Sequence, residues 1–292
     1  MLMSSTPICY STDFIPKLTT TFDTSDFRRF IGGLEYLDLK ILGFEDDENQ
    51  PCPLTYPGYA MFLRECLNDI FHHMHALQHL KIHASCHAPL GWAGQWYNPL
   101  PLEPEYCPAL RSLTLAYCFV GSDLVDFIGS HAQVLTSLDI ADCVCAADDT
   151  EGAGMDWAQF FDQVYESKPV LTKLVAGNPD VMITGCLKEV EVIPEQICVL
   201  YSDRVTDDQR EAIISKIQEW KDPLENIRQA LKGTCMLTRS YVDDENGTFR
   251  ISREQTLEQH NRDREAQAYH RLINVVRQNA AFVQVGRLSL DG

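Results

Sequence analysis

No stretch of about 18 consecutive apolar residues occurs in the 292-residue chain, so no membrane-crossing helix is expected. Met1 to Thr12 has neither a basic start nor an apolar run, so nothing there reads as a secretion signal. Basic residues are scarce: 24 Lys and Arg stand against 42 Asp and Glu, a formal charge of −18. A phosphate backbone is repelled by such a field, and no run of basic residues offsets it locally, which argues against nucleic-acid binding. There is no glycine-rich loop after a strand, no Gly-x-Ser-x-Gly elbow and no His-Glu-x-x-His pair, so nucleotide, serine-hydrolase and zinc-protease signatures are all missing. These absences describe an acidic intracellular protein of cytoplasm or nucleus. Its 45% apolar content is enough for a packed core. Its eleven cysteines are then expected as thiols, and the sequon Asn246-Gly-Thr248 as unused.

What is present is one phrase written several times, Leu-x-x-Leu-x-apolar. It occurs at Leu34–Leu39, Leu77–Ile82, Leu110–Leu115 and Leu135–Ile140, with a worn fifth copy at Leu171–Ala176. Alternate inward side chains describe a short strand, and repetition describes a stacked array. The steps between copies are 43, 33, 25 and 36 residues, so the strand is kept while the connections vary. The fold class expected is α/β: an irregular leucine-rich-repeat-like solenoid of parallel strands with outer helices over residues 22–202. A mainly helical C-terminal region over 203–292 caps it, and residues 1–21 form an N-terminal segment.

The connections read as amphipathic helices. Tyr59, Leu63, Cys66, Leu67, Ile70, Phe71 and Met74 form one apolar stripe, and Leu124, Phe127, Ile128 and His131 form another. Ser122 is the expected N-cap of the second, with Asp123 in its first turn. Asp156 and Gln159 offer a capping box before Trp157, Phe160, Phe161 and Val164. Further on, Thr206–Gln209 and Asp222-Pro223 open two helices, the second stopped by Gly233, and Asn246-Gly247 signals a turn. Ser252–Gln255 opens a helix expected to reach about Asn279. Its first half is charged and exposed, and it buries Ala266, Tyr269, Leu272, Ile273 and Val276. Val283–Leu290 reads as a last short strand.

No residue set points to catalysis. Cys118 and Cys143 follow their strands at the same place and are expected inside, as small stackable side chains. His72, His73, His75, His79, His83 and His87 fall within 16 residues, with Cys86 among them. A metal-binding enzyme or sensor on this cluster is one alternative. But His79 and His83 lie on a strand, where helical metal spacing is lost, so no metal and no cofactor are expected. The candidate binding surface is the outward row of the strands: Tyr36, Asp38 and Lys40; His79, Lys81 and His83; Ser112, Thr114 and Ala116; Ser137, Asp139 and Ala141. The loop from His87 to Pro108, with five prolines and Trp92, Trp96 and Tyr97, reads either as an aromatic recognition loop or as a lid over the core.

The form Leu-x-x-Leu-x-Leu-x-x-Cys at Leu110–Cys118, repeated with Ile140 at Leu135–Cys143, resembles the leucine-rich repeats of F-box proteins. Asp26–Leu39, Leu124–His131, Asp156–Phe161 and the Tyr241-Val-Asp-Asp start of the C-terminal region are similar, in that order, to segments of filamentous-fungal F-box-domain proteins. The likeness spans about residues 22 to 281. It implies a non-catalytic protein-recognition role, as the body that selects a target for a cullin–RING ubiquitin ligase. The ligase adaptor is a partner only where an F-box is supplied upstream. Met1–Lys17 holds just Phe14-Ile-Pro-Lys where the family has Leu-Pro and amphipathic helices, so no F-box is recognised there. A stand-alone repeat scaffold is the other reading.

Overall fold

The computed structural model describes residues 24–41, 62–84, 90–92, 100–146, 155–177, 237–242, 249–251 and 263–288. The protein is α/β. Five parallel strands, β1 (Tyr36–Lys40), β2 (His79–His83), β3 (Ser112–Phe119), β4 (Ser137–Ala146) and β5 (Lys173–Ala176), lie side by side in chain order. Two more complete the sheet: β6 (Thr238–Val242) runs parallel to β4, and β7 (Phe249–Ile251) antiparallel to β6. Helix α1 (Ser25–Gly32) precedes β1, and α2 (Leu67–His72) precedes β2 after a π-helical turn, Phe62–Cys66. α3 (Ser122–Ser130) joins β3 to β4, and α4 (Trp157–Glu166) precedes β5. α5 (Asp263–Leu288) closes the chain's described part and packs on α4 and β5. No helix among the described residues is long and apolar enough to cross a membrane.

The leucine phrase sets the register. Leu37, Leu80, Leu113, Leu138 and Leu174 pair across all five strands, so one residue type fills one row of the interior. Leu80, Leu113 and Leu138 are sealed from solvent, as are Ile82, Leu115 and Ile140 in the next row. Each such side chain contributes about 1.5–3 kcal/mol by leaving water. In β1 the same letters are only half-buried at Leu37 and Leu39, because that strand has a neighbour on one side only among the described residues. The backbone repeats as faithfully as the leucines. The carbonyl of Glu35 accepts from the N–H groups of Gln78 and His79. The carbonyl of Gln78 accepts from Arg111 and Ser112, that of Arg111 from Thr136 and Ser137, and that of Thr136 from Thr172 and Lys173. One carbonyl per copy, always just after the first leucine, thus binds the start of the next copy.

Strands β3 and β4 are longer than their neighbours and change partners midway. The first half of β4 pairs with β5 and its last residues, Val144–Ala146, pair with β6 on the same edge. The end of β3 takes Leu90 as a bridge partner, with the Phe119 N–H donating to the Leu90 carbonyl at 2.7 Å. Between the halves the register slips and returns, and Tyr117 takes a left-handed backbone, φ 56°. Gly91 is required where it stands: its φ is +84°, and a Cβ there would lie 2.7 Å from the Phe119 carbonyl oxygen. Trp92 then lies buried with its ring 4.7 Å from that of Phe119.

Several expectations need correction. The N-cap of α3 is Gly121, which makes no side-chain cap bond; Ser122 is already helical and bonds Asp123 instead. The Asp156–Gln159 capping box is present in full. α5 continues through Val283–Leu288, where a strand was expected. The helix satisfies its backbone internally and carries Phe282, Val283 and Val285 on its outside. Ala266 is exposed and Ala268 takes the interior position, with Leu272, Ile273 and Val276. The charged start of α5 is not wholly solvated, since Glu265 is buried. Two strands, β6 and β7, lie in the region expected to be mainly helical. Tyr59, the elements expected at Thr206–Gly233, the Asn246-Gly247 turn, the Ser252 box and the boundary at 202/203 fall outside the described residues.

Candidate recognition face

Parallel pairing in register turns alternate residues into rows across the sheet. The first outward row is Tyr36, His79, Ser112, Ser137 and Lys173. The second is Asp38, Lys81, Thr114, Asp139 and Val175. The third begins Lys40, His83 and Ala116, but the slip between β3 and β4 places Asp142, not Ala141, opposite Ala116. Ala116 itself is buried. Of the twelve residues expected on this surface, ten lie in these rows and are half-buried or exposed; Ala116 is buried and Ala141 loses its place in the third row to Asp142. Lys173 and Val175 extend the rows. The worn fifth phrase was the signal that could have found them.

The side chains on β1 and β2 interact. The Lys81 ammonium lies 5.8 Å from the centroid of the Tyr36 ring, within cation–π range, and the His79 ring is 6.3 Å from that of Tyr36. Nε2 of His83 is 3.9 Å from Oδ1 of Asp38. Towards β4 the surface becomes hydroxylic and acidic. Oδ1 of Asp139 accepts from the Ala141 N–H at 3.3 Å, which fixes this carboxylate near the bulge. Three lysines (Lys40, Lys81, Lys173) thus stand against three aspartates (Asp38, Asp139, Asp142), although the chain as a whole is strongly acidic.

Beneath this face the thiols are structural. Cys118 donates to the Ala116 carbonyl at 3.5 Å and Cys143 to the Leu115 carbonyl at 3.4 Å, so each ties a strand end to backbone. Burial pushes the Cys143 thiol well above its ordinary value, and the neighbouring Cys118 raises it further. Burial likewise raises Cys145, and pushes Cys107 up to about 12. These groups are neutral thiols at physiological pH, a poor state for nucleophiles. His131, also buried, has Nδ1 2.8 Å from the Phe127 carbonyl and Nε2 3.1 Å from the Cys107 carbonyl, fastening α3 to the preceding loop.

The described histidines of the cluster do not converge. His72 sits edge-on to His73 at 5.1 Å and to Tyr106 at 5.6 Å, His75 lies in the following turn, and His79 and His83 are on the open face. Among the described residues no three His, Cys, Asp or Glu come together as a metal site. His87, Cys86, Trp96 and Tyr97 lie outside the described residues. Trp92 is buried, its ring against that of Phe119. Compared with known proteins, the chain matches no family, no curated protein and no solved structure.

Proposed function

We propose that the protein is a non-catalytic recognition module whose strand array is an irregular leucine-rich-repeat-like solenoid, and that it selects a target protein through the open side of that array. The observation that carries this reading is the in-phase register of β1 to β5, which sets Tyr36, His79, Ser112 and Ser137 in one row and Asp38, Lys81, Thr114 and Asp139 in the next. The recurring carbonyl at Glu35, Gln78, Arg111 and Thr136 supports the solenoid reading independently of the leucines. A rigid surface built from many strands suits binding, because its side chains are already placed before the partner arrives. The resemblance to F-box proteins extends the proposal: the bound target is presented to a ubiquitin ligase whose adaptor is reached through an F-box supplied upstream.

The test is affinity capture from the protein's own cells, with the wild type run beside a Thr114→Arg variant that places a long cation in the middle of the face. Circular dichroism establishes that the variant is folded. At least one protein is expected with the wild type and lost with the variant. Recovery of the same set by both chains overturns the recognition reading. Stoichiometric recovery of the ligase adaptor supports the ligase role, and its consistent absence leaves a stand-alone scaffold.

A further inference from the structure

The balance of charge on the open side of the sheet narrows what it holds, given that this side is a recognition face. We propose that its occupant is an extended peptide segment of mixed sign, with one carboxylate side chain seated at the β1–β2 corner and one Lys or Arg seated against Asp139, four residues apart and therefore on the same side of the segment.

Four basic or titratable groups gather on two adjacent strands at that corner: Lys40 on β1, and His79, Lys81 and His83 on β2. Among the described residues one carboxylate, Asp38, stands with them, its Oδ1 3.9 Å from His83 Nε2. Neither Lys40 nor Lys81 has a carboxylate within 4 Å among the described residues. Lys81 instead rests over the Tyr36 ring, which is 50% exposed and offers an apolar shelf beside the cation. Two strands away the sign reverses. Asp139 occupies the same row as Lys81, with Thr114 between them, and Asp142 follows in the next row.

Strand spacing converts this gradient into a length. Lys81 and Asp139 are separated by two interstrand steps, roughly 10 Å, and Asp38 and Asp139 by three, roughly 14 Å. An extended chain advances about 3.3 Å per residue, so four residues, roughly 13 Å, span the interval and keep both charged side chains on one side. Ser112, Thr114 and Ser137 lie along the way and offer hydroxyls to the intervening backbone or polar side chains. A polyanion does not fit, because the carboxylates that attract the far end of a mixed segment repel it.

The probe is a set of fluorescent twelve-residue peptide pools. Each pool fixes two positions four apart, fills the interval with Thr, Val, Ser and Gln, and carries flanking prolines that disfavour a helix. The fixed pair is Glu and Lys, two Glu, or two Lys. Anisotropy against the full chain is expected to show the mixed pool binding about tenfold more tightly than either single-sign pool, an advantage that shrinks in high salt. Lys81→Glu in the protein should reverse the preference, weakening the mixed pool about tenfold while a Lys81→Glu, Asp139→Lys double variant regains it with the peptide polarity inverted. The proposal is overturned if no pool binds, if the two-Glu pool binds best, or if Lys81→Glu changes nothing. A captured target lost with Thr114→Arg but kept with Lys81→Glu sinks this occupant and spares the recognition face. A target insensitive to both sinks the face itself.

Discussion

The two halves of β4 are built to opposite ends. Over Ser137–Ile140 half-buried and buried residues alternate, so one side of the sheet is sealed by Leu138 and Ile140 while Ser137 and Asp139 reach the other. Over Cys143–Ala146 every residue is buried. That second half is flanked by the end of β3 and by β6, with Arg239 of β6 and Glu265 of α5 paired beside it. A parallel strand reads as continuous apolar sequence only where both sides are covered, and as alternation where one side is open. The same strand therefore marks the border between a surface available for contact and an interior with no such role.

The sharpest way to break this comparison is to put one carboxylate on each half. Val144→Asp places an unpaired charge at a fully buried position and should cost about 4 kcal/mol or more, seen as a loss of soluble folded protein. Ser137→Asp, seven residues earlier on the open side, should change the denaturation midpoint by no more than about 0.5 kcal/mol. Next in size is the ion pair. Arg239 is 1% exposed, donates to Glu265 and lies 3.4 Å from the Ala146 carbonyl. Glu265→Ala removes a carboxylate from a buried guanidinium and should destabilise by about 3 kcal/mol. Arg239→Met with Glu265→Leu should recover most of the loss, because paired charges are replaceable by packed apolar groups.

A smaller effect follows from the thiols. Cys107 is raised in the folded state, so its contribution is fully present below pH 9.0, the ordinary value, and is lost as pH climbs towards about 12. The unfolded chain ionises first, and urea titrations should show stability falling by about 1.4 kcal/mol at pH 10 from this group alone. Cys107→Ala should flatten that slope. Smallest is the contrast between caps. Asp156 accepts from the Gln159 N–H at 2.6 Å, and Asp156→Ala should cost about 1 kcal/mol. Ser122→Ala should shift the thermal midpoint negligibly, since Gly121 holds the cap position.

The open half of the sheet was legible in the sequence because its cause is local. Leu-x-x-Leu-x-apolar dictates which side chains turn inward, and identical phrases in parallel strands have one register that keeps all leucines inside. The outward rows then follow by elimination. Cys118 and Cys143 were legible for the same reason, as equivalent positions in equivalent copies. The covered half was not, because its causes lie far apart in the chain. Nothing near Arg239 shows that its partner is Glu265, and nothing near Val144 shows that its neighbour on the edge is Thr238. Val283 and Val285 have strand propensity but no strand beside them among the described residues, and the helix continues through them. The slip that brings Asp142 opposite Ala116 adds a residue on β4 between Asp139 and Asp142, and the return adds one on β3, where Tyr117 adopts a conformation that its residue type rarely takes.

The junction of Val144 with Thr238 also sets a timetable for synthesis. The strands β1 to β5 meet neighbours made shortly before them and can zip together as the chain leaves the ribosome. The far end of β4 must wait for a partner 94 residues later, the interval from 144 to 238. At a translation rate of about 5–20 residues per second that is roughly 5–20 s before β6 can pair with that edge of β4.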